Sequence, residues 1–486
     1  MKKKKIVLFV FLIVGVLSLV LTYKFKQNDL SKNKPIKEEK LSIMIKEDGA
    51  TDYTKSSSKD IPKGDYVLNK EKSYCKNNGK IEGYDSTTGT VSFAFIGTDR
   101  CFLYFDYYVP PRKAYDAILL DNGNGATTVD EAKTYISGKG TPTFTDVATT
   151  NEGMYATEDD YTATTGMKSY YFRGAVDNNW IKFGKYSSNG PVRGYYSSTA
   201  SQYKEYNSLE ECNSASNYNY NCSYAWNEND DIYWRIIRIN GDGSIRMIYT
   251  GTTDPKTDSS VTGSNGVYMT GTGTQIGKSA FNSNYDKSEY VGYMYTDGEQ
   301  HGNGTSSTIK TTIENWYAET TLKDNTLVSQ DQIFCNDRSV TSGTWSSSPS
   351  SGLSYASDTR LSASTPIPQL TCPTESDKFT SKKSSIGNKK LEYPVGLITA
   401  DELAMAGGKY RSSNSPYYLY TNLTYWSGTP VIYIDGYAYE SYVEYSGGVS
   451  LNWMNNYNGA RPVVSLSSKA KISGNGTWNK PYVVEN

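Results

Sequence analysis

The strongest hairpin signal in this chain is YWRIIRINGDGSIRMIY, residues 233–249. The Asn-Gly and Asp-Gly pairs at 240–243 supply the positive φ that tight hairpins require. Strand alternation places Trp234 and Arg238 on one face of the first strand and Arg235 on the other. The pattern therefore predicts a central strand in which one arginine shields each face.

The β pattern of this hairpin continues through most of the chain. From 142 to 486, Gly, Ser, Thr, Asn and Tyr dominate, and a Ser- and Asn-rich stretch at about 185–230 is predicted to be an insert. One helix is predicted to be capped by Ser307 or Thr308, and another begins at the capping box Thr399–Glu402. The predicted fold class is mainly β with a few short helices (α+β), and 142–486 forms one large β-rich domain.

The last hundred residues predict a β-meander. In its third strand, 437–445, Tyr437 and Tyr439 point one way, whereas Glu440 and Glu444 point the other way. Because the second set contains two carboxylates, that face is predicted to be exposed to water.

A smaller β-rich region precedes the large domain. Short strand patterns predict a small β module at 64–108, and a disulfide worth about 2–4 kcal/mol suits a unit whose core alone is marginal. After the Pro110-Pro111 break, two helix-like patterns in 109–141 predict a connector. Residues 24–63 are rich in Lys, Ser, Asp and Glu, which predicts a flexible Lys-rich tether.

The N-terminus carries a membrane signal. Four lysines at 2–5 precede an apolar run at 6–23, which is long enough to span a bilayer and is not followed by a small-residue cleavage site. This pattern predicts a single-pass transmembrane signal anchor at 6–23 with residues 1–5 as a cytoplasmic tail. A long cleavable signal peptide is the alternative. Lysines on both sides leave the orientation undecided by charge.

All six cysteines lie after the apolar run, with no CxxC motif among them. They are Cys75, Cys101, Cys212, Cys222, Cys335 and Cys372. Fifteen pairings are possible, and the sequential one, which keeps every bridge local, is predicted. Disulfides imply an oxidising compartment, so the bulk of the chain is predicted to lie outside the cytoplasm. Free buried thiols in a cytosolic domain are the alternative.

Composition excludes several function classes. With 44 Tyr but one His, the chain contains neither an HExxH helix nor a multi-His metal site. His301 lies in a turn with no evident partner. The acidic clusters 158–160 and 228–231 lack the spacing of a calcium loop and are predicted to be solvated. A net charge of -1 argues against nucleic acid as a partner. We expect no metal, no cofactor and no catalytic residue.

The surplus of tyrosine has a structural and a functional interpretation. Tyr fits half-buried strand positions, and it also provides large contact area at low entropic cost in binding surfaces. The closing meander contains the best candidate for the second role, a cluster predicted to bind a ligand: Tyr433, Tyr437, Tyr439 and Trp453.

Five motifs occur in order through the large domain. They are YYFRGAVDNNWIKF (170–183), the hairpin already described, FCNDR (334–338), GLITADE (396–402) and GARPV (459–463). As a set they resemble a group of uncharacterised, membrane-anchored surface proteins of gut-type Gram-positive bacteria. The C-terminal domain of unknown function in that group opens on a Trp-Arg-hydrophobic strand and closes on Gly-x-Arg-Pro-hydrophobic. The resemblance covers about 142–482 and implies no settled activity.

The order of elements is also similar to the C-type-lectin-like architecture shared with sulfatase-modifying enzymes, which implies a lectin-like large domain. The Glu-Pro-Asn and Trp-Asn-Asp triplets that bind calcium in true C-type lectins are missing. Neither Cys335 nor Cys372 matches the catalytic thiols of the modifying enzymes. No functional residue is therefore carried over from either group.

Together these patterns predict a non-catalytic, membrane-anchored extracytoplasmic binding or adhesion protein. Its expected partners are the membrane, through the N-terminal helix, and a glycan, a cell-wall polymer or a host or surface protein. One alternative is a carboxylate-based hydrolase of wall or glycan substrates, which requires two Asp or Glu facing one cleft within about 5–10 Å. Another is a structural subunit of a surface fibre.

Overall fold

The computed structural model describes residues 41–47, 50–57, 60–95, 99–108, 110–198 and 202–485. The chain divides into two compact units, Met1–Pro110 and Pro111–Asn486. The predicted tail and anchor, 1–23, lie outside the described residues. Within the described ranges, no helix combines the length and the apolar character that crossing a membrane requires.

The first unit is a small β module built around one central strand. Its strands are β1 Leu41–Lys46, β2 Thr54–Lys55, β3 Tyr66–Leu68, β4 Tyr74–Cys75, β5 Lys80–Asp85, β6 Thr90–Phe95 and β7 Cys101–Tyr107. β7 pairs in parallel with β1 and antiparallel with β3 and β4, and β5 with β6 forms a separate hairpin. A disulfide between Cys75 and Cys101 joins β4 to β7.

The module begins earlier in the chain than the sequence predicted. β1 lies inside 24–63, the predicted tether, and all six of its residues pair with β7. Ile43 is buried in the core with Leu103 and Phe105. The apolar alternation of LSIMIK is the local signal for this strand, and the surrounding lysines and glutamates obscured it. The predicted tether therefore ends no later than residue 40.

The second unit contains most of the strands and the described helices. The helices are α1 Ala114–Asp121, α2 Val129–Gly138, α3 Thr162–Thr165, α4 Leu209–Ser214, α5 Ser259–Gly263, α6 Thr308–Ala318, α7 Ala356–Ser362 and α8 Ala400–Met405. The strands of its first half are β8 Arg112–Lys113, β9 Asn151–Thr157, β10 Ser169–Gly174, β11 Trp180–Lys185, β12 Val192–Tyr195, β13 Tyr203–Tyr206, β14 Tyr220–Tyr224, β15 Asp231–Ile239 and β16 Ile245–Gly251. Those of its second half are β17 Gly277–Ser279, β18 Met294–Tyr295, β19 Thr305–Ser306, β20 Phe334–Cys335, β21 Val340–Ser342, β22 Leu353–Tyr355, β23 Lys378–Phe379, β24 Tyr425–Ile434, β25 Tyr437–Val443, β26 Val449–Trp453, β27 Asn458–Ala460, β28 Val463–Leu466, β29 Lys471–Ser473 and β30 Tyr482–Glu485. The mainly β prediction is confirmed.

The predicted hairpin lies at the centre of the larger sheet. That sheet has the order β28-β16-β15-β11-β30-β29-β8, with β10 and β9 attached to β15. Every residue of β15 from Ile232 to Ile239 is buried. The two arginines of β15 are buried as well and do not shield the faces from solvent. Arg235 donates to the carbonyl of Val176 at 2.8 Å, and Arg238 pairs with acidic side chains described below.

The hairpin that contains Trp234 and the GARPV motif serve the same structural purpose. The Nε1 of Trp234 donates to the Phe183 carbonyl at 2.8 Å, and Arg461 of the GARPV motif donates to the Tyr249 carbonyl at 3.0 Å. Both side chains are fully buried. Phe183 lies in β11 and Tyr249 lies in β16, so these buried donors hold neighbouring segments of the larger sheet together.

Of the predicted connector, 109–141, residues 111–141 belong to the larger unit. β8 pairs with β29, and residues of α1 and α2 such as Ile118 and Ile136 are fully buried in the core of the second unit. The helix positions were predicted well, whereas their packing was not, because burial depends on residues that follow much later in the chain. The insert at about 185–230 contains the sheet β13-β12-β14 and the disulfide Cys212–Cys222.

The second sheet of this unit contains the closing meander. Its order is β17-β27-β24-β22-β21, with β25 paired to β24 and β26 paired to β25. The prediction that the Glu440 face of β25 is exposed to water is wrong, since Ala438 and Glu440 are 0% exposed. Among the described atoms, neither carboxylate oxygen of Glu440 has a hydrogen-bond partner. Burial raises the pKa of Glu440 well above its usual range, and the Arg338 charge opposes that shift only in part.

Glu440→Gln is expected to stabilise the protein at pH 8 by about 1–3 kcal/mol. The unfolded carboxyl ionises near pH 4.5, whereas the folded one keeps its proton to higher pH, so wild-type stability falls as the pH rises through that window. Thermal unfolding of wild type and variant at pH 5 and pH 8 tests this prediction. The stabilisation of the variant relative to wild type should be smaller at pH 5. Glu444→Gln, at a half-buried position beyond the same strand, is the control. Lower stability of Glu440→Gln at pH 8 would contradict the assignment.

Candidate binding surface

Four aromatic side chains form a contiguous surface, here called the aromatic column: Tyr285, Tyr437, Tyr439 and Trp453. The rings of Tyr437 and Trp453 stack at 5.0 Å between centroids, 11° from parallel. Tyr285 stacks on Tyr437 at 5.6 Å and 5°. Tyr439 meets Trp453 edge-on at 6.3 Å. Each ring is thus held in place by its neighbours.

The register of the meander explains why these residues meet. Tyr439 lies directly opposite Trp453 in the β25–β26 ladder, and Tyr437 lies two residues before Tyr439 on the same face. The turn before β25 is made by Asp435 and Gly436, both with positive φ (54° and 81°). Among the described strands, β26 pairs only with β25, so Trp453 lies on a sheet edge and is 43% exposed.

One predicted member of the cluster does not belong to it. Tyr433 is only 3% exposed, pairs with Ala438 on the core face, and donates its hydroxyl to the Asp286 carbonyl at 2.9 Å. Tyr285 takes its place in the column. It comes from a loop without a strand or helix pattern, so no sequence signal identifies it.

A small apolar cleft lies farther along the face of the sheet that carries Tyr439 and Trp453. At this point α7 and α8 cover the sheet. This side cleft is lined by Ser357, Leu361, Ala404, Val431, Ser441 and Val449, among others. It offers about 20 Å³ to water-sized groups. The hydroxyl of Ser441 is buried and has no hydrogen-bond partner among the described residues. Asp358 and Lys409 also line the cleft, but most of its lining surface is apolar. Such a pocket suits a small, mostly apolar substituent.

A second cavity of the larger unit is lined by charged groups. They are Asp160, Arg238, Arg246, Asp337, Arg360, Asp401 and Glu402. Arg360 bridges Asp337 at 3.3 Å and Asp401 at 2.9 Å, and Arg238 contacts both Glu402 and Asp159 at 3.1 Å. Within the cluster 158–160, Asp159 is buried and Asp160 is half-buried, contrary to the prediction of a solvated loop, whereas Glu158 is exposed.

The pKa values of the carboxyl groups in this charged cavity are shifted in different directions. Burial raises the pKa of Asp160, although Lys378 at 3.1 Å opposes the shift. Burial would also raise the pKa of Glu402, but Arg246 and Arg238 together outweigh it and lower that pKa. The cavity thus combines one carboxyl whose pKa is raised by burial with another whose pKa is lowered by two arginines.

The single histidine has a partner. His301 Nδ1 lies 2.9 Å from Asp377 Oδ2, and the other oxygen of the fully buried Asp377 accepts from Arg338 Nη2 at 2.6 Å. The contact ties the loop around His301 to Asp377, which in turn holds Arg338 in the segment between β20 and β21. The expectation that His301 lacks a partner is therefore wrong, and the imidazole has a role in local structure.

Within the described ranges, no group of three or more His, Cys, Asp or Glu side chains is arranged to hold a metal ion. The exposed part of the column and the adjoining side cleft are two places that an outside ligand reaches without displacing one of the ion pairs described above. Comparison of the chain with family models, with curated proteins and with solved structures finds no match.

Proposed function

We propose that the larger unit is a lectin-like binding module whose aromatic column stacks against sugar rings of a glycan or cell-wall polymer. In this proposal the helix predicted at 6–23 holds the chain at the membrane, and the described part acts outside the cytoplasm. The observation that carries the proposal is the exposed, mutually stacked set of rings around Trp453.

The geometry of the column supports binding over a purely structural role. A tryptophan that is 43% exposed on an edge strand contributes less to folding than a buried one, because much of its apolar area stays in water. Stacked neighbours restrict its rotation, so little side-chain entropy is lost on binding. Aromatic side chains with a fixed orientation are typical anchors of recognition surfaces.

The disulfides support the proposed location. The structure contains Cys75–Cys101, Cys212–Cys222 and Cys335–Cys372, which is the predicted sequential pairing, and no described cysteine is free. Disulfides persist in oxidising compartments and are rare in the cytosol. Three of them in one chain favour a position on the outer side of the membrane.

Trp453→Ala is expected to weaken binding about tenfold or more, because it removes the most exposed ring of the column. The measurement is binding of purified full-length protein to a glycan array and to insoluble cell-wall sacculi. Tyr445→Ala is the matched control, since Tyr445 is 69% exposed but lies outside the column. Blank results for wild type on both the array and the sacculi would remove this function.

The charged cavity is the observation that favours the hydrolase alternative. Asp160 would act as the proton donor there, since its pKa is raised, with Asp337 or Asp401 as the second carboxylate. Release of new reducing ends from sacculi by wild type, and its loss in Asp160→Asn, would establish this alternative. Under the binding proposal, wild type releases none.

A further inference from the structure

We propose that the side cleft receives the N-acetyl group of an acetamido sugar, so that the ligand class is an N-acetylated glycan. The inference rests on the proposed function and specifies the chemistry that the aromatic column alone leaves open. Three observations carry it: the position of the cleft, its size and its one unpaired polar group.

The side cleft and the aromatic column share one face of the β25–β26 ladder. Tyr439 lies opposite Trp453, and the next row on this face pairs Ser441 with Leu451. Consecutive rows on one face of a strand are about 7 Å apart. A sugar stacked on Trp453 therefore holds its ring substituents within reach of Ser441. Leu451, between the two, is half-buried and leaves the path along the face partly open.

The volume of the side cleft limits what enters it. About 20 Å³ of the cleft is available to groups the size of a water molecule. One such group needs about 10–15 Å³ of this volume. A pyranose ring is far too large, whereas the methyl end of an acetyl group fits. The column would hold the ring outside while the substituent enters.

The chemistry of the cleft matches an acetamide better than a hydroxymethyl group or a methyl ether. Leu361, Ala404 and Val431 provide apolar walls for a methyl group. Ser441 provides a buried hydroxyl whose hydrogen-bonding capacity is unused among the described residues. An incoming carbonyl accepts that hydrogen bond and satisfies a group that is otherwise unfavourably buried. A hydroxymethyl group would place a second hydroxyl against apolar walls.

Isothermal titration of the full-length protein with chitotetraose and with cellotetraose tests the inference. The two oligomers have the same β-1,4 linkage and differ at carbon 2, where one has an acetamide and the other a hydroxyl. We expect wild type to bind chitotetraose at least tenfold more tightly. Ser441→Ala should weaken chitotetraose binding about tenfold and leave cellotetraose binding unchanged, which also reports that the variant is folded. Trp453→Ala should weaken both.

The outcomes separate this inference from the function on which it rests. Equal affinity for the two oligomers overturns the N-acetyl assignment and leaves the glycan-binding function standing. Equal losses for both oligomers in Ser441→Ala also overturn it, because a specific contact would affect only the acetylated ligand. Binding of neither oligomer, together with blank sacculi and a blank array, overturns both.

Discussion

Glu402→Gln is expected to lower the free energy of unfolding by about 3–5 kcal/mol. The carboxylate of Glu402 is buried between Arg238, which it meets at 3.1 Å, and Arg246, whose Nη2 donates to it at 3.3 Å. Removing the negative charge of Glu402 takes one counter-ion away from each of these two buried guanidinium groups. Arg238 keeps Asp159, so Arg246 is the group left without compensation.

The choice of glutamine separates the ion pair from the helix cap. Glu402 also completes the capping box of α8, in which it accepts from the Thr399 backbone at 2.9 Å. Glutamine can make the same contact, so the helix start is retained. Alanine would remove the charge and the cap together and would not distinguish them.

Urea unfolding at several pH values measures this effect. The arginines lower the pKa of Glu402 in the folded protein, so its contribution is present above about pH 4.5 and is lost as the pH falls through the folded value. The difference in free energy of unfolding between wild type and variant should therefore become smaller at acidic pH. Glu375→Gln is the control, since its side chain is 69% exposed, and should change stability by less than about 0.5 kcal/mol. A small, pH-independent effect of Glu402→Gln would contradict the buried ion pair.

Removal of the Cys335–Cys372 bridge, by alanine at both positions, is expected to cost about 4 kcal/mol. The bridge closes a segment of 37 residues that contains β21, β22 and α7, and cross-linking a segment of this length removes substantial entropy from the unfolded chain. Since α7 covers the side cleft, the loss should also weaken ligand binding at temperatures near the unfolding midpoint.

The Cys212–Cys222 bridge provides the matched comparison. It closes only 10 residues, so its removal is expected to cost about 3 kcal/mol on the same entropic basis. Urea unfolding of both double variants tests the order, and non-reducing peptide mapping of wild type tests the pairing. Free thiols at these positions in wild type would contradict both the bridges and the proposed extracytoplasmic location.

Local signals in the sequence were sufficient for several elements. The hairpin at 233–249 and the capping box at Thr399 were predicted at their observed positions, because turn residues and cap residues act within a few positions of themselves. The disulfide pairing was predicted in the same way, by joining cysteines that are neighbours in the sequence. These are the features that need no knowledge of the rest of the chain.

The faces of strands required more than local information. Alternation correctly separated Tyr437 and Tyr439 from Glu440, but the side that meets the core depends on which elements pack there. The ladder between β24 and β25 also contains two register shifts around Pro430. The simple alternation of side chains between the two faces is therefore interrupted there. For this reason Tyr433 was placed on the surface and Glu440 in water, whereas both are buried.

The pairing of β8 with β29 brings the two ends of the larger unit together. β8 is the first strand of that unit, and β29 forms a hairpin with its last strand, β30. Domains whose ends meet tolerate circular permutation and insertion into a loop of another protein. We therefore expect the larger unit to tolerate insertion into one surface loop of another protein without separating the segments that flank that loop.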